Sequence, residues 1–93
     1  SLCIDVGHLL KTNQDPLPYL AAHLNRTRVI HLHGCCQGRD HLGLDALPPA
    51  MLDRLVALLR QHHYRGVLTL EVFSERHFFG GRDLILSALE RLP

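Results

Sequence analysis

Apolar and polar positions along the chain fall into three short runs of strand character separated by longer runs of helical character. Leu2-Cys3-Ile4-Asp5-Val6-Gly7-His8, Arg28-Val29-Ile30-His31-Leu32-His33 and Val67-Leu68-Thr69-Leu70-Glu71-Val72-Phe73 predict strands near residues 2–7, 28–33 and 67–73. A polar loop follows the first of these. Asp15 then caps a helix with Pro16 as its first residue, where proline's missing N–H costs nothing. Tyr19, Leu20 and Leu24 supply its buried stripe, and it is expected to end near Asn25. Pro48 and Pro49 start a second helix whose apolar face is Met51, Leu52, Leu55, Val56, Leu58 and Leu59. Gly66 reads as its left-handed stop. After the third strand, Ser74 caps a short turn that Gly80-Gly81 interrupts, and Leu84, Ile85, Ala88, Leu89 and Leu92 read as the last helix. Gly34, Gly38 and Gly43 mark the stretch after the second strand as a loop able to approach a ligand closely.

Strands alternating with helices imply right-handed crossovers and a parallel sheet, here with the strands adjacent in chain order and helices on one face. Period-two alternation puts Val67, Thr69, Glu71 and Phe73 on one face of the third strand and Leu68, Leu70 and Val72 on the other. The aliphatic face suits the helix layer. By the same count His31 and His33 point together, and Cys3, Asp5 and Gly7 share a face. A parallel sheet of three strands leaves two edges and an open face. A (β/α)8 barrel takes about 250 residues, so residues 1–93 are expected to be one partial domain, an α/β piece supplying three of the eight units.

Composition narrows the function classes. A formal charge of +1 with scattered basic residues gives no case for nucleic acid or membrane-surface binding. No apolar run approaches the ~20 residues of a membrane span, and no leader opens the chain. The start at Ser1 directly on a strand is read as truncation. Cys3, Cys35 and Cys36 are an odd number without Cys-x-x-Cys spacing, which points away from a disulfide scaffold and toward a reducing, cytoplasmic setting. His23, His62, His63 and His77 fall on helix or loop positions and carry no functional expectation.

Each apolar run carries an ionisable group near its carboxyl end, where parallel sheets build their sites. Asp5, His31 and Glu71 are expected on the inner wall at similar height, a mixed oxygen and nitrogen set that suits manganese, zinc, iron or magnesium. An unpartnered carboxylate in an apolar interior costs several kcal/mol, so a shared divalent metal is the simplest common partner. Polar groups satisfied by one another are the alternative. His8, just past the first strand, reads as a second-metal ligand, a substrate contact or a cap. His33 reads as a residue of the substrate pocket. Arg39 suits a substrate phosphate, and Asp40 and His41 suit a second metal or the leaving oxygen, against the plain reading of a solvated loop.

Cys3-Ile4-Asp5-Val6-Gly7-His8, Val29-Ile30-His31-Leu32-His33-Gly34, Asp40-His41 and Leu70-Glu71-Val72 together resemble the last three strand–helix units of the xylose-isomerase-like barrel superfamily, which includes endonuclease IV. The resemblance implies metal-ligand roles for Asp5, His31 and Glu71, with manganese or zinc foremost, and a further glutamate ligand from an earlier strand that this chain does not carry. His8 matches a position that binds a further metal in the endonuclease branch and touches substrate in the sugar isomerases. The endonuclease branch has Asp-x-His where this chain has the adjacent pair Asp40-His41. His31-Leu32-His33-Gly34, Asp40-His41-Leu42 and Leu70-Glu71-Val72-Phe73-Ser74 are most similar to cobamide-remodelling phosphodiesterases. The implied activity is metal-dependent hydrolysis of a phosphodiester in a small-molecule substrate, with His8, Asp40 and His41 in catalysis and Arg39 and His33 on substrate. The alternatives are a sugar or sugar-phosphate isomerase or epimerase, and an inactive remnant. On any of these readings the 93 residues alone are expected to be inactive, and the open sheet face to be covered by the rest of a barrel or by another copy of the chain.

Overall fold

The computed structural model describes residues 2–36, 39–72 and 74–92, so Phe73 lies outside the described residues. The elements run β1 (Leu2–Asp5), α1 (Val6–Lys11), α2 (Pro16–His23), a 3-10 turn at Leu24–Arg26, β2 (Thr27–Leu32), β3 (Gly34–Cys36), β4 (Arg39–Leu42), a 3-10 turn at Leu44–Ala46, α3 (Pro49–Gln61), β5 (Val67–Leu70) and α4 (Glu75–Glu90). β1, β2 and β5 form one sheet in that order. Both pairings are parallel, with Asp5 opposite His31 and His31 opposite Thr69. The expected α/β organisation and parallel sheet are therefore present.

One face of this sheet is dry. Ile4, Ile30 and Leu32 are buried together with Leu20 of α2, Leu24 just after it, Leu52, Leu55, Val56 and Leu59 of α3, and Ala88 of α4. Leu68 and Leu70 of β5 pack against the same cluster. Full burial of each such side chain contributes roughly 1.5–3 kcal/mol, which is why the aliphatic face of each strand selects the helix layer. The other face carries Cys3 and Val67, both exposed, with Val29, His31 and Thr69 half-buried between them. β5, an outer strand, has neither proline nor charge along Val67-Leu68-Thr69-Leu70 to discourage further pairing.

Several elements differ from the sequence expectation. The first loop is a helix: Asp5 closes β1 and caps α1 at once, its carboxylate accepting from the His8 N–H at 2.8 Å. A carboxylate at the N-cap satisfies an amide that would otherwise lack a partner, so strand passes to helix without a linker. The glycine-bearing stretch after β2 contains an antiparallel pair, β3 with β4. α4 runs unbroken through Gly80-Gly81, capped by Ser74 Oγ, which accepts from the His77 N–H at 3.1 Å. Gly81 is buried, and a methyl there would lie 3.2 Å from Leu44 Cγ, so the glycine serves close packing and does not break the helix. β5 ends at Leu70, although the Glu71 N–H still donates to the Leu32 carbonyl at 2.9 Å.

α3 stops at Gln61, and the left-handed residue after it is His63, with φ of 52°, not Gly66. Gly66 instead lets two backbone segments approach, since a methyl there would come within 2.4 Å of the Arg28 carbonyl oxygen. A left-handed conformation costs a non-glycine residue roughly 1–2 kcal/mol, and glycine's larger unfolded-state entropy offsets roughly 0.5–1 kcal/mol of that. His63→Gly should accordingly raise stability by up to about 1 kcal/mol, read as a higher midpoint in thermal or urea unfolding. An unchanged or lower midpoint would mean that the His63 side chain makes a compensating contact. No helix among the described residues is long and apolar enough to cross a membrane.

Candidate metal centre

Four ionisable side chains gather at the carboxyl ends of the parallel strands. Asp5 is placed by the β1–α1 junction, with 39% of its side chain exposed. His31 stands beside it in register on β2, and Glu71 follows the last residue of β5. His33 lies one residue beyond β2 and is 1% exposed.

The contacts sort these groups into two linked pairs. His33 Nε2 lies 3.1 Å from Asp5 Oδ1, the oxygen that also caps α1. The other ring nitrogen of His33, Nδ1, lies 3.4 Å from the Gly34 carbonyl oxygen. His31 Nδ1 is hydrogen-bonded to Glu71 Oε1. Among the described residues, Asp5, His33 and Glu71 each offer one ligand atom, and these lie within 4.8 Å of one another. His31 touches Glu71 but stands outside that group of three. Of the expected set, Asp5 and Glu71 fall in this group and His31 does not; His33 takes the place expected of His31.

Gly7 makes the arrangement possible. A methyl group at Gly7 would lie 1.9 Å from His33 Cε1 and 2.1 Å from its Nε2, so the imidazole occupies the space a side chain would take. A helix of six residues, α1, is therefore seated directly on the ring. Gly7 was the available sequence signal for this close approach, since glycine admits a neighbour where any other residue presents a Cβ.

His8 is exposed, and its backbone N–H is the atom that meets Asp5. The side chains of Arg39, Asp40 and His41 lie outside the described residues; their backbone forms most of β4, which packs beside α1. A pocket of about 320 Å³ lined by Asp45, Arg76, His77, Gly80, Gly81 and Leu84 lies apart from this cluster. Away from the site, burial pushes the Tyr64 phenol above its ordinary range, with Cys3 adding to the effect, while its hydroxyl donates to the Val67 carbonyl at 3.1 Å.

Chemically, the two carboxylates of Asp5 and Glu71 with the imidazole of His33 form a donor set of a kind that suits a first-row divalent cation. The structure shows the set largely held by other contacts: a backbone amide on Asp5, a backbone carbonyl on His33, and His31 on Glu71. Comparison of the chain with protein-family models, curated proteins and solved structures gave no match.

Proposed function

We propose that the chain is the carboxyl-terminal three strand–helix units of a (β/α)8 barrel and carries part of a divalent-metal site for phosphodiester hydrolysis. The observation that supports this reading is the grouping of Asp5, His33 and Glu71 at the carboxyl ends of three parallel strands. That is the end where barrel enzymes build their sites. A cation held there would supply Lewis acidity toward a phosphoryl oxygen and an acidified water.

The chain's own groups then have separable roles. Asp5 and Glu71 supply the negative charge that attracts the cation, and His33, just beyond β2, supplies an imidazole. His8, an exposed residue in the first turn of α1, would meet the substrate, and Arg39 would pair with its phosphate. Asp40 and His41 would serve the leaving oxygen or a second cation. A cobamide nucleotide loop is the substrate proposed from the likeness of the His31–Gly34 stretch. The uncovered Cys3, Val29 and Val67 face calls for the remaining barrel strands or a second copy, since large open apolar surfaces are rare on stable monomers. The free thiols of Cys3 and Cys35 fit a reducing, cytoplasmic compartment.

Manganese or zinc titration with calorimetric readout, followed by assay of the full polypeptide on cobamide and on bis(4-nitrophenyl) phosphate, tests the reading. Metal binding with phosphodiester cleavage supports it. Metal binding with aldose–ketose interconversion instead would favour the isomerase reading, in which carboxylates move a proton between neighbouring carbons. Absence of binding to either metal would remove both.

A further inference from the structure

We infer that the imidazole ligating the cation is His33, through Nε2, and that His31 is a positioning residue holding Glu71. This rests on the metal reading above and divides the histidines at the end of β2 by role.

The first argument is distance. Donor atoms on one first-row ion sit about 2.0–2.2 Å from it, hence no more than about 4.4 Å from each other. The atoms offered by Asp5, His33 and Glu71 lie within 4.8 Å, with Asp5 Oδ1 and His33 Nε2 only 3.1 Å apart. Closure onto an ion needs a few tenths of an ångström. His31 is outside this group.

The second argument is what the two ring nitrogens face. His33 Nδ1 lies 3.4 Å from the Gly34 carbonyl oxygen and Nε2 lies 3.1 Å from Asp5 Oδ1, and both of these oxygens are acceptors. Ligation through Nε2 would place the ion between that nitrogen and Asp5 Oδ1 and leave the Nδ1 side of the ring to Gly34. Metal-ligating histidines typically donate their other N–H to a carbonyl or carboxylate in just this way.

The third argument is rigidity. The His33 side chain is 1% exposed, and its ring is seated against the backbone at Gly7, so its direction is fixed before any ion arrives. His31 is 31% exposed and spends Nδ1 on Glu71 Oε1, the outer contact that orients a ligating carboxylate.

The test uses the chain with cobalt(II), whose visible absorption reports the donor set, on wild type, His33→Ala, His31→Ala and His31→Gln. His33→Ala should abolish the visible bands at concentrations that saturate wild type. His31→Ala should keep the bands while weakening affinity roughly 10- to 100-fold, and His31→Gln, whose amide can still donate to Glu71, should recover most of the loss. Because His33→Ala could unfold the chain, nitrogen-15 NMR of wild-type histidines during zinc addition gives a second reading. The His33 Nε2 resonance should move to its metal-bound position while both His31 nitrogens stay near their starting values. Bands lost in His31→Ala but kept in His33→Ala, or a zinc shift at His31 Nε2, would overturn the assignment and leave the metal reading standing. A wild-type chain that binds neither cobalt nor zinc would remove both.

Discussion

Adding a single methyl group at Gly7 should unseat His33 and destabilise the chain. The new Cβ would lie 1.9 to 2.2 Å from three atoms of the imidazole, and the 1% exposure of that ring leaves it no room to retreat. Overpacking of this kind costs typically about 1–3 kcal/mol, sometimes more. Replacing a helical glycine with alanine otherwise gains roughly 0.5–1 kcal/mol, so the steric loss must exceed a real gain. Gly80→Ala isolates that gain, because nothing lies within 4 Å of its Cβ position in the same fold. Thermal unfolding should therefore place Gly80→Ala above wild type and Gly7→Ala well below it. Cobalt affinity should fall only in Gly7→Ala. Removing the obstacle gives the decisive comparison: in a His33→Ala background, Gly7→Ala should lose most of its cost, a strong coupling between contacting residues. A Gly7→Ala chain as stable as wild type would show that the ring is not seated on α1.

The contrast between these glycines explains what could and could not be read from the sequence. The three parallel strands were legible because β-branched and leucine residues alternate with polar ones, and a one-residue slip would turn Ile30 and Leu32 out of the core. α3 was equally legible from its wide apolar face. The first turn of α1 was not, because Val6, Gly7 and His8 continue the strand pattern and the decisive event is a hydrogen bond from the His8 amide to Asp5. α4 was misread at Gly80-Gly81 because glycine's low helix propensity is local, whereas the packing of Gly81 on Leu44 is tertiary. The β3–β4 pair was hidden by glycines that also suit a loop.

For the candidate site, strand order and period pointed to the carboxyl end of the sheet and to Asp5 and Glu71, but named His31 where the structure groups His33 with them. They could not rank His31 against His33, since both share a face by count. The choice depends on a backbone carbonyl at Gly34 and on the space left by Gly7, and neither leaves a periodic trace.

The two faces of β2 should respond to truncation in opposite ways, with the largest loss expected at Ile30. Its side chain is 0% exposed at the centre of the sheet, between strands on both sides and beneath the helix layer. Ile30→Ala removes buried carbon and leaves a cavity that neighbouring strands cannot collapse into, a cost of about 2–5 kcal/mol. Domains of this kind have only about 5–15 kcal/mol in total, so the variant should unfold at much lower urea or fail to fold at 37 °C. Val29, its neighbour, points to the open face and is half-buried. In an isolated chain, Val29→Thr should cost well under the Ile30 loss, roughly 1 kcal/mol or less, because most of the deleted apolar surface was already near water. If a second copy or further strands cover this face, Val29→Thr should instead weaken that association, and the wild-type unfolding midpoint should rise with protein concentration while the variant's does not. Urea unfolding of both variants at two concentrations separates the cases. A Val29→Thr loss equal to that of Ile30→Ala, with no concentration dependence in either protein, would contradict the assignment of a dry face and an open one.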